Sequence, residues 1–333
     1  MDTTAPAIEA IAVRKAFGAT TVLDAIDLAV APGSVFALLG PNGAGKTTAV
    51  HILTTLLAAD GGTARVHGHD VVRDAEAVRG LIGVTGQFSA VDALLTGEEN
   101  LRLMADLRHL TTADGRRRTA ELLAQFELED AARKPLAAYS GGMRRRLDLA
   151  MTLVARPAVI FLDEPTTGLD PRSRRTMWDI VRGLVADGTT VFLTTQYLEE
   201  ADELADHVAV LDRGRLVADG SPDELKRLVP GGRLRMRLAD EAAYREAAAR
   251  FPGAERDDDA LALALPGASD VRALKRTLDV LDEAAIAVEE VAVQSPTLDD
   301  VFFALTGHGA SASEAITTEA ITTEATTTEE RSA

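Results

Sequence analysis

The segment Gly40-Pro41-Asn42-Gly43-Ala44-Gly45-Lys46-Thr47-Thr48 carries the spacing G-x-x-x-x-G-K-[ST], which suits the capture of phosphate. Glycines let backbone N–H groups turn inward and approach phosphate oxygens without a Cβ in the way. A helix starting at this point adds positive potential. Lys46 supplies a point charge for the β- and γ-phosphates of a nucleotide, and Thr47 offers a hydroxyl to Mg²⁺. Far along the chain, Val159-Ile160-Phe161-Leu162 runs into Asp163-Glu164. Asp163 is placed to hold Mg²⁺ through water, and Glu164 to orient or deprotonate an attacking water. Taken singly, the first segment fits a glycine-rich turn before a helix, and the second fits two acids on a solvated loop. Together they predict nucleoside triphosphate hydrolysis, because parallel strands bring their carboxyl ends to one edge.

A third segment is Tyr139-Ser140-Gly141-Gly142-Met143, followed by Arg144-Arg145-Arg146. Ser-Gly-Gly opening a helix is an anion site, and it is equally an ordinary capped helix start. The arginine run reads as a solvated or subunit-facing stretch of that helix. The N-K-x-D spacing that reads guanine in GTPases does not occur.

These residues need a scaffold, and the pattern supplies one. Ser34–Leu39, Ala158–Leu162 and Val191–Thr195 are apolar runs of the kind expected for strands buried on both faces. Between them lie helical stretches. Thr47–Leu57 carries Val50, Leu53 and Leu57 as a stripe, with Ile52 and Leu56 beside it, and stops at Asp60-Gly61-Gly62. Asp170 caps a helix with Pro171 in its first turn, burying Met177, Ile180, Val181 and Leu184. Such alternation predicts an α/β fold with a parallel sheet covered by helices. The middle, about 90–150, reads as a helical subdomain, with helices over Glu99–Leu107 and Arg116–Phe126. Ser221-Pro222-Asp223-Glu224 is a capping box that starts the last helix of a first domain, 1–228.

Residues 229–307 change character. Leu234, Met236 and Leu238 alternate with arginines, and Leu261, Leu263 and Leu265 with alanines. Ile286, Val288, Val291 and Val293 form a third, bulged or broken strand. Helices are expected over Glu241–Arg250, Val271–Leu281 and Leu298–Leu305. Period-two alternation implies a sheet with one wet face, hence a small C-terminal α/β accessory domain. The tail, 308–333, repeats Glu-Ala-Ile-Thr-Thr with little apolar content and reads as disordered.

Composition closes off several classes. The chain has 333 residues, 46% apolar and 26% charged, roughly two globular domains. Its net charge of −17 argues against a nucleic-acid partner. With no cysteine, disulfides, thiolate nucleophiles and Cys-ligated metals are excluded, and the six histidines are scattered, so no metal other than Mg²⁺ is expected. Residues 1–20 lack a signal-peptide pattern, and no apolar run approaches a membrane span. A cytosolic chain is expected; any spanning falls to another protein.

The order of the phosphate loop, Gln87, Ser140-Gly141-Gly142, Asp163-Glu164 and Gly168-Leu169-Asp170 resembles the ATP-binding subunits of ABC transporters, over about Ile8–Leu228. The resemblance implies a P-loop ABC ATPase cassette that binds ATP and Mg²⁺. By it, Phe17 stacks on adenine and Gln87 senses Mg²⁺ and the γ-phosphate. Ser140, Gly141 and Gly142 form the signature that grips the ATP of the opposing subunit in a head-to-tail dimer, and Asp170 lies in the loop crossing that interface. Phe17 also fits plain turn packing, and Gln87 a surface loop. The chain departs from the pattern at Tyr139 and Met143, usually Leu and Gln, and at Gln196, usually a His that contacts the γ-phosphate. Gln196 can hold geometry but cannot titrate, which leaves the base role to Glu164.

Thr194-Thr195-Gln196-Tyr197-Leu198-Glu199-Glu200, with Ser295-Pro296-Thr297-Leu298-Asp299-Asp300-Val301-Phe302-Phe303-Ala304-Leu305-Thr306-Gly307 at the end of the accessory domain, is similar to the daunorubicin/doxorubicin-resistance group of drug-exporter ATPases. That implies a transport-coupled ATPase, a homodimer of such subunits and a separate multi-span membrane permease, with this chain peripheral on the cytoplasmic side. The last segment also fits an amphipathic packing helix. A non-transport ABC ATPase of the DNA-repair or translation type, or an importer motor, is the alternative. The single phosphate loop, the lack of heptads and cysteines, and the C-terminal segment weigh against these.

Overall fold

The computed structural model describes residues 5–86, 91–229, 232–266, 271–294 and 296–306. Gln87 and the repeat tail lie outside them. The chain forms two compact units, Met1–Pro222 and Asp223–Ala333.

The first unit begins with β1 (Ile8–Phe17), β2 (Thr20–Val30), β3 (Val35–Leu39), α1 (Lys46–Leu53), β4 (Gly61–Val66), β5 (His69–Asp70), α2 (Ala75–Leu81) and β6 (Ile82–Thr85). Three helices follow: α3 (Gly97–Leu107), α4 (Thr112–Gln125) and α5 (Gly141–Thr152). The unit closes with β7 (Val159–Asp163), α6 (Pro171–Ala186), β8 (Thr190–Thr195), α7 (Leu198–Leu204), β9 (His207–Asp212) and β10 (Arg215–Gly220). One sheet has the order β10-β9-β3-β8-β7-β6 and is parallel except at β10. Its central strands β3, β7 and β8 are buried along their whole length, as two covered faces require. Helix α1 shares one apolar core with both sheets: Val50, Ile52 and Leu53 pack with Ile8, Leu28, Val66 and Phe161.

The parallel core and the helical middle follow the sequence pattern. The antiparallel sheet β2-β1-β4-β5 was not visible in it. Register shifts fall between Ala10 and Val13 and again at Lys15, and Ala12 and Ala25 have positive φ. Each irregularity resets the inside–outside alternation that marks a half-buried strand. Helix α1 stops at Leu53, short of Leu57. The Thr54 hydroxyl donates to the Val50 carbonyl at 2.7 Å and Thr55 turns left-handed at φ 65°, so side-chain hydrogen bonding diverts the backbone. Leu57 still packs on the core, while Leu56 is exposed. Helices α3 and α4 start earlier than Glu99 and Arg116. Thr96 and Glu99 cap each other reciprocally, and Thr111 accepts from the Asp114 amide.

Helix α8 (Pro222–Lys226) begins on the last residue of the first unit, and the second unit continues with β11 (Arg233–Leu238), α9 (Glu241–Arg250), β12 (Glu255–Asp257), β13 (Ala262–Pro266), α10 (Val271–Glu283), β14 (Val288–Gln294) and α11 (Leu298–Thr306). The sheet order β12-β13-β11-β14, all neighbours antiparallel, makes a split βαββαβ unit. Leu234, Met236 and Leu238 are buried. The intervening arginines pair with acids: Arg233 with Glu255 and Asp300, Arg235 with Asp257, Arg237 with Glu289 and Glu290. The wet face is thus a lattice of exposed ion pairs, each contributing about 0–1 kcal/mol. A register shift at Leu238 breaks the β11–β14 ladder. Helix α11 buries Leu298 and Val301 but leaves Phe303 and Leu305 exposed, a narrower buried stripe than the spacing suggests.

The Thr96 cap offers a direct check. Thr96→Ala removes one half of the capping box, and the expected loss is about 1 kcal/mol in urea unfolding. An unchanged midpoint would show that the cap contributes nothing to α3.

Candidate active site

The chemistry gathers where β3, β8 and β7 end side by side. Register places Leu39 opposite Thr195 and Thr194 opposite Asp163, and the Gly40 amide donates to the Thr195 carbonyl at 3.2 Å. The loop Gly40–Thr48 therefore springs from the strand next to the one that delivers Gln196, which sits half-buried just past β8. Three of its glycines are required by space or conformation. A Cβ on Gly40 would lie 2.3 Å from the Leu211 carbonyl oxygen. Gly43 and Gly45 have φ of 80° and 111°, and a Cβ on Gly45 would meet Leu23 and the Val22 carbonyl at 2.8 Å. Pro41, Asn42 and Thr48 lie open or half-open along this loop, and Ala44 is buried.

Lys46 opens α1 and is 5% exposed. Its Nζ donates to the carbonyls of Gly40 at 2.8 Å and Pro41 at 3.1 Å and lies 3.5 Å from Glu164 Oε1. Burial pulls the amine below its ordinary range, with Glu164 opposing. Asp163 accepts from the Thr47 hydroxyl at 3.1 Å and, through its other oxygen, from the Thr194 hydroxyl in a short contact. Glu164 is half-buried and its backbone is left-handed, φ 48°. That conformation costs a non-glycine residue roughly 1–2 kcal/mol. Its amide donates to both the carbonyl and the hydroxyl of Thr194, each at 3.1 Å, and Oε2 accepts from Thr167 at 3.3 Å. The two acids thus diverge: Asp163 turns toward Thr47, Glu164 toward Lys46.

The structure brings Lys46, Thr47, Asp163, Glu164 and Gln196 to one edge. Phe17 stands at the end of β1, 52% exposed, opposite Thr20 in the β1–β2 hairpin, with Lys15 Nζ 5.5 Å from the ring centre. The same hairpin reaches Gly45 through Val22 and Leu23. The Phe17 ring is thus half exposed, with the Lys15 ammonium over it.

The Ser-Gly-Gly segment faces solvent. Ser140 caps α5 by accepting from the Met143 amide at 3.2 Å, and Ser140 and Gly141 are exposed. Gly142 lies close to α6: a Cβ there would stand 2.6 Å from Ser173 Oγ. Ser173 donates by amide and hydroxyl to Asp170, the cap of α6, at 2.9 and 2.8 Å, and these bonds hold the Asp170 carboxyl below the usual carboxylate range. Tyr139 points the other way: it is buried, donates to the Ala131 carbonyl at 2.8 Å and fills the space over Gly97. Its departure from Leu is a core change. The arginine run is not solvated as a whole. Arg144 is exposed, but Arg145 and Arg146 turn inward, the latter donating to the Phe126 carbonyl at 2.8 Å. Helical spacing places Arg145 on one face with Asp148 and buried Leu149, the signal that marks it as an interior residue.

Behind the site lies Glu200, fully buried on α7. Burial pushes its carboxyl up, opposed by Thr195, Thr166 and the Trp178 indole, which donates to Oε1 at 3.3 Å, and by Arg174. A raised value stabilises the fold at low pH and loses that contribution as pH rises through it. For Glu200→Gln the thermal midpoint should gain on the parent as pH rises above the ordinary glutamate range. A pH-independent difference would show that burial does not raise the Glu200 carboxyl above its ordinary range.

The ABC transporter domain family matches residues 23–167. The chain is 50% identical over 314 residues to a daunorubicin resistance ATP-binding protein of Streptomyces coeruleorubidus, covering 93% of this chain and 98% of that one. It is also 50% identical over 310 residues to the daunorubicin/doxorubicin resistance ATP-binding protein of Streptomyces peucetius, covering 91% and 93%. Among solved structures it is similar to an ATP-binding subunit of an ABC transporter, 28% identical with a TM-score of 0.60 over 66% of this chain and 92% of the other.

Proposed function

We infer, for a chain that belongs to the ABC-transporter ATP-binding family, that it is the ATP-hydrolysing motor subunit of an exporter for drug-like or amphipathic compounds. The single observation that carries the hydrolytic reading is the divergence of the two acids at the loop: Asp163 toward Thr47, Glu164 to within 3.5 Å of Lys46. The drug-like cargo rests on the resistance proteins matched over nearly the whole length. Because those relatives also span the second unit, the importer and non-transport readings gain no support.

ATP and water give ADP and phosphate. Two of the three Lys46 donors are committed to Gly40 and Pro41; the third faces Glu164 and is the one a γ-phosphate oxygen takes over. Backbone amides of Gly43 to Thr48 line the phosphates, and Phe17 stacks on adenine. Thr47 and Asp163 supply hard oxygens, too few for a protein-only Mg²⁺ cage and suited to an ion shared with substrate phosphates; Gln87 is assigned to the same ion. When bound, Mg²⁺ neutralises charge on the phosphate oxygens. Glu164 accepts the proton of the attacking water, and Gln196 orients by hydrogen bonding without titrating.

ABC ATP-binding subunits dimerise and work with a separate membrane subunit. For this chain, Ser140, Gly141 and Gly142, the first two of them exposed, grip the ATP of a second copy, and the Asp170 loop lies at that interface. No helix among the described residues is long and apolar enough to cross a membrane; a multi-span permease carries the cargo, and this chain sits against it on the cytoplasmic side.

Glu164→Gln keeps shape and hydrogen bonding but removes the base. Steady-state ATPase should fall at least about 100-fold while ATP binding persists. Near-parental turnover would overturn the assignment.

A further inference from the structure

Arg145 lies on the second turn of α5, five residues after Ser140, with its side chain only 15% exposed. Its guanidinium reaches one carboxylate and four carbonyls. Nη1 meets Asp148 at 3.3 Å and the Gly86 carbonyl, at the end of β6, at 3.0 Å. Nε donates to the Pro165 carbonyl at 2.9 Å, and Nη2 to those of Asp163 at 3.2 Å and Glu164 at 3.4 Å. Three of these carbonyls are consecutive. An extended strand points successive carbonyls to opposite sides; here the left-handed Glu164 swings them toward one cation.

We propose that Arg145 is a positioning residue for Glu164: its fork clasps the carbonyls on either side of the left-handed turn and keeps the carboxylate aimed at the Lys46 side of the loop. Planarity is what the task needs. A guanidinium presents fixed donors in several directions at once, whereas an ammonium is a compact point charge. The Asp148 ion pair keeps the cation charged against its burial, which pulls it below its ordinary value. Because α5 opens at Ser140, the helix that presents the signature is also the helix that fixes the base.

The proposal rests on Glu164 being the base, so Glu164→Gln is assayed beside Arg145→Lys in the full-length chain. Arg145→Lys keeps the charge opposite Asp148 but cannot span Gly86 and Pro165 together. Its kcat should fall about 100-fold, with ATP affinity within about 3-fold of the parent. Hydrogen exchange should quicken at the Glu164 and Thr167 amides, with α5 unaffected. Parental kcat and exchange would overturn the proposal and leave Arg145 as a partner of Asp148. Loss of ATP binding in step with kcat, or faster exchange throughout α5, would overturn it too, because a merely structural arginine does that. If Glu164→Gln retains turnover, the base assignment itself fails; if it abolishes turnover and Arg145→Lys does not reduce it, only the Arg145 proposal fails.

Discussion

A lysine that is 5% exposed must be held by something, and the way Lys46 is held governs the rest of the first unit. Its neighbours are two carbonyls of its own loop and one carboxylate from another strand. That combination exists only if β3 and β7 end at the same level, with β8 between them as a spacer. The fully apolar strands, α1 wedged between two sheets and the glycines with no room for a Cβ all serve this alignment. A one-residue slip of β7 against β8 would exchange Asp163 for Glu164 opposite Thr194 and turn the wrong acid toward Thr47.

The second constraint is strain. Glu164 holds a backbone conformation that ordinary residues avoid, in a segment bounded by Thr194 on one side and Arg145 on the other. Residues kept in such conformations persist when their surroundings over-determine them, and this one has its amide, its carbonyl and both side-chain oxygens engaged. Asp163, by contrast, sits in regular strand geometry. The acid proposed to hold an ion rests on a relaxed backbone, while the acid proposed to take a proton rests on a clasped one.

Much of this was legible in the sequence, and the limits are physical. Contiguous motifs fold locally, so the loop at Gly40–Thr48 and the acids ending β7 could be read directly, as could the alternation of Leu234, Met236 and Leu238. Bulges at Ala12 and Ala25 hid β1 and β2, because a reset alternation carries no period. Thr54 and Thr55 ended α1 by hydrogen bonding and a left-handed turn that hydrophobic spacing does not register. Arg145 read as one of three arginines on a solvated or subunit-facing stretch; only the long-range meeting of Gly86, Asp163 and Pro165 gives it a task.

We infer that the buried Lys46 cation serves phosphate and not the fold. Burial already opposes its charge, so an apolar isostere in its place should be tolerated by the protein but not by the nucleotide. The direct measurement is the thermal midpoint of Lys46→Met with and without ATP. The midpoint should stay within about 3 °C of the parent when no ATP is added, and the ATP-induced rise should be lost. A variant that melts far below the parent yet still gains stability on adding ATP would contradict it, and would make Lys46 a structural ion-pair residue.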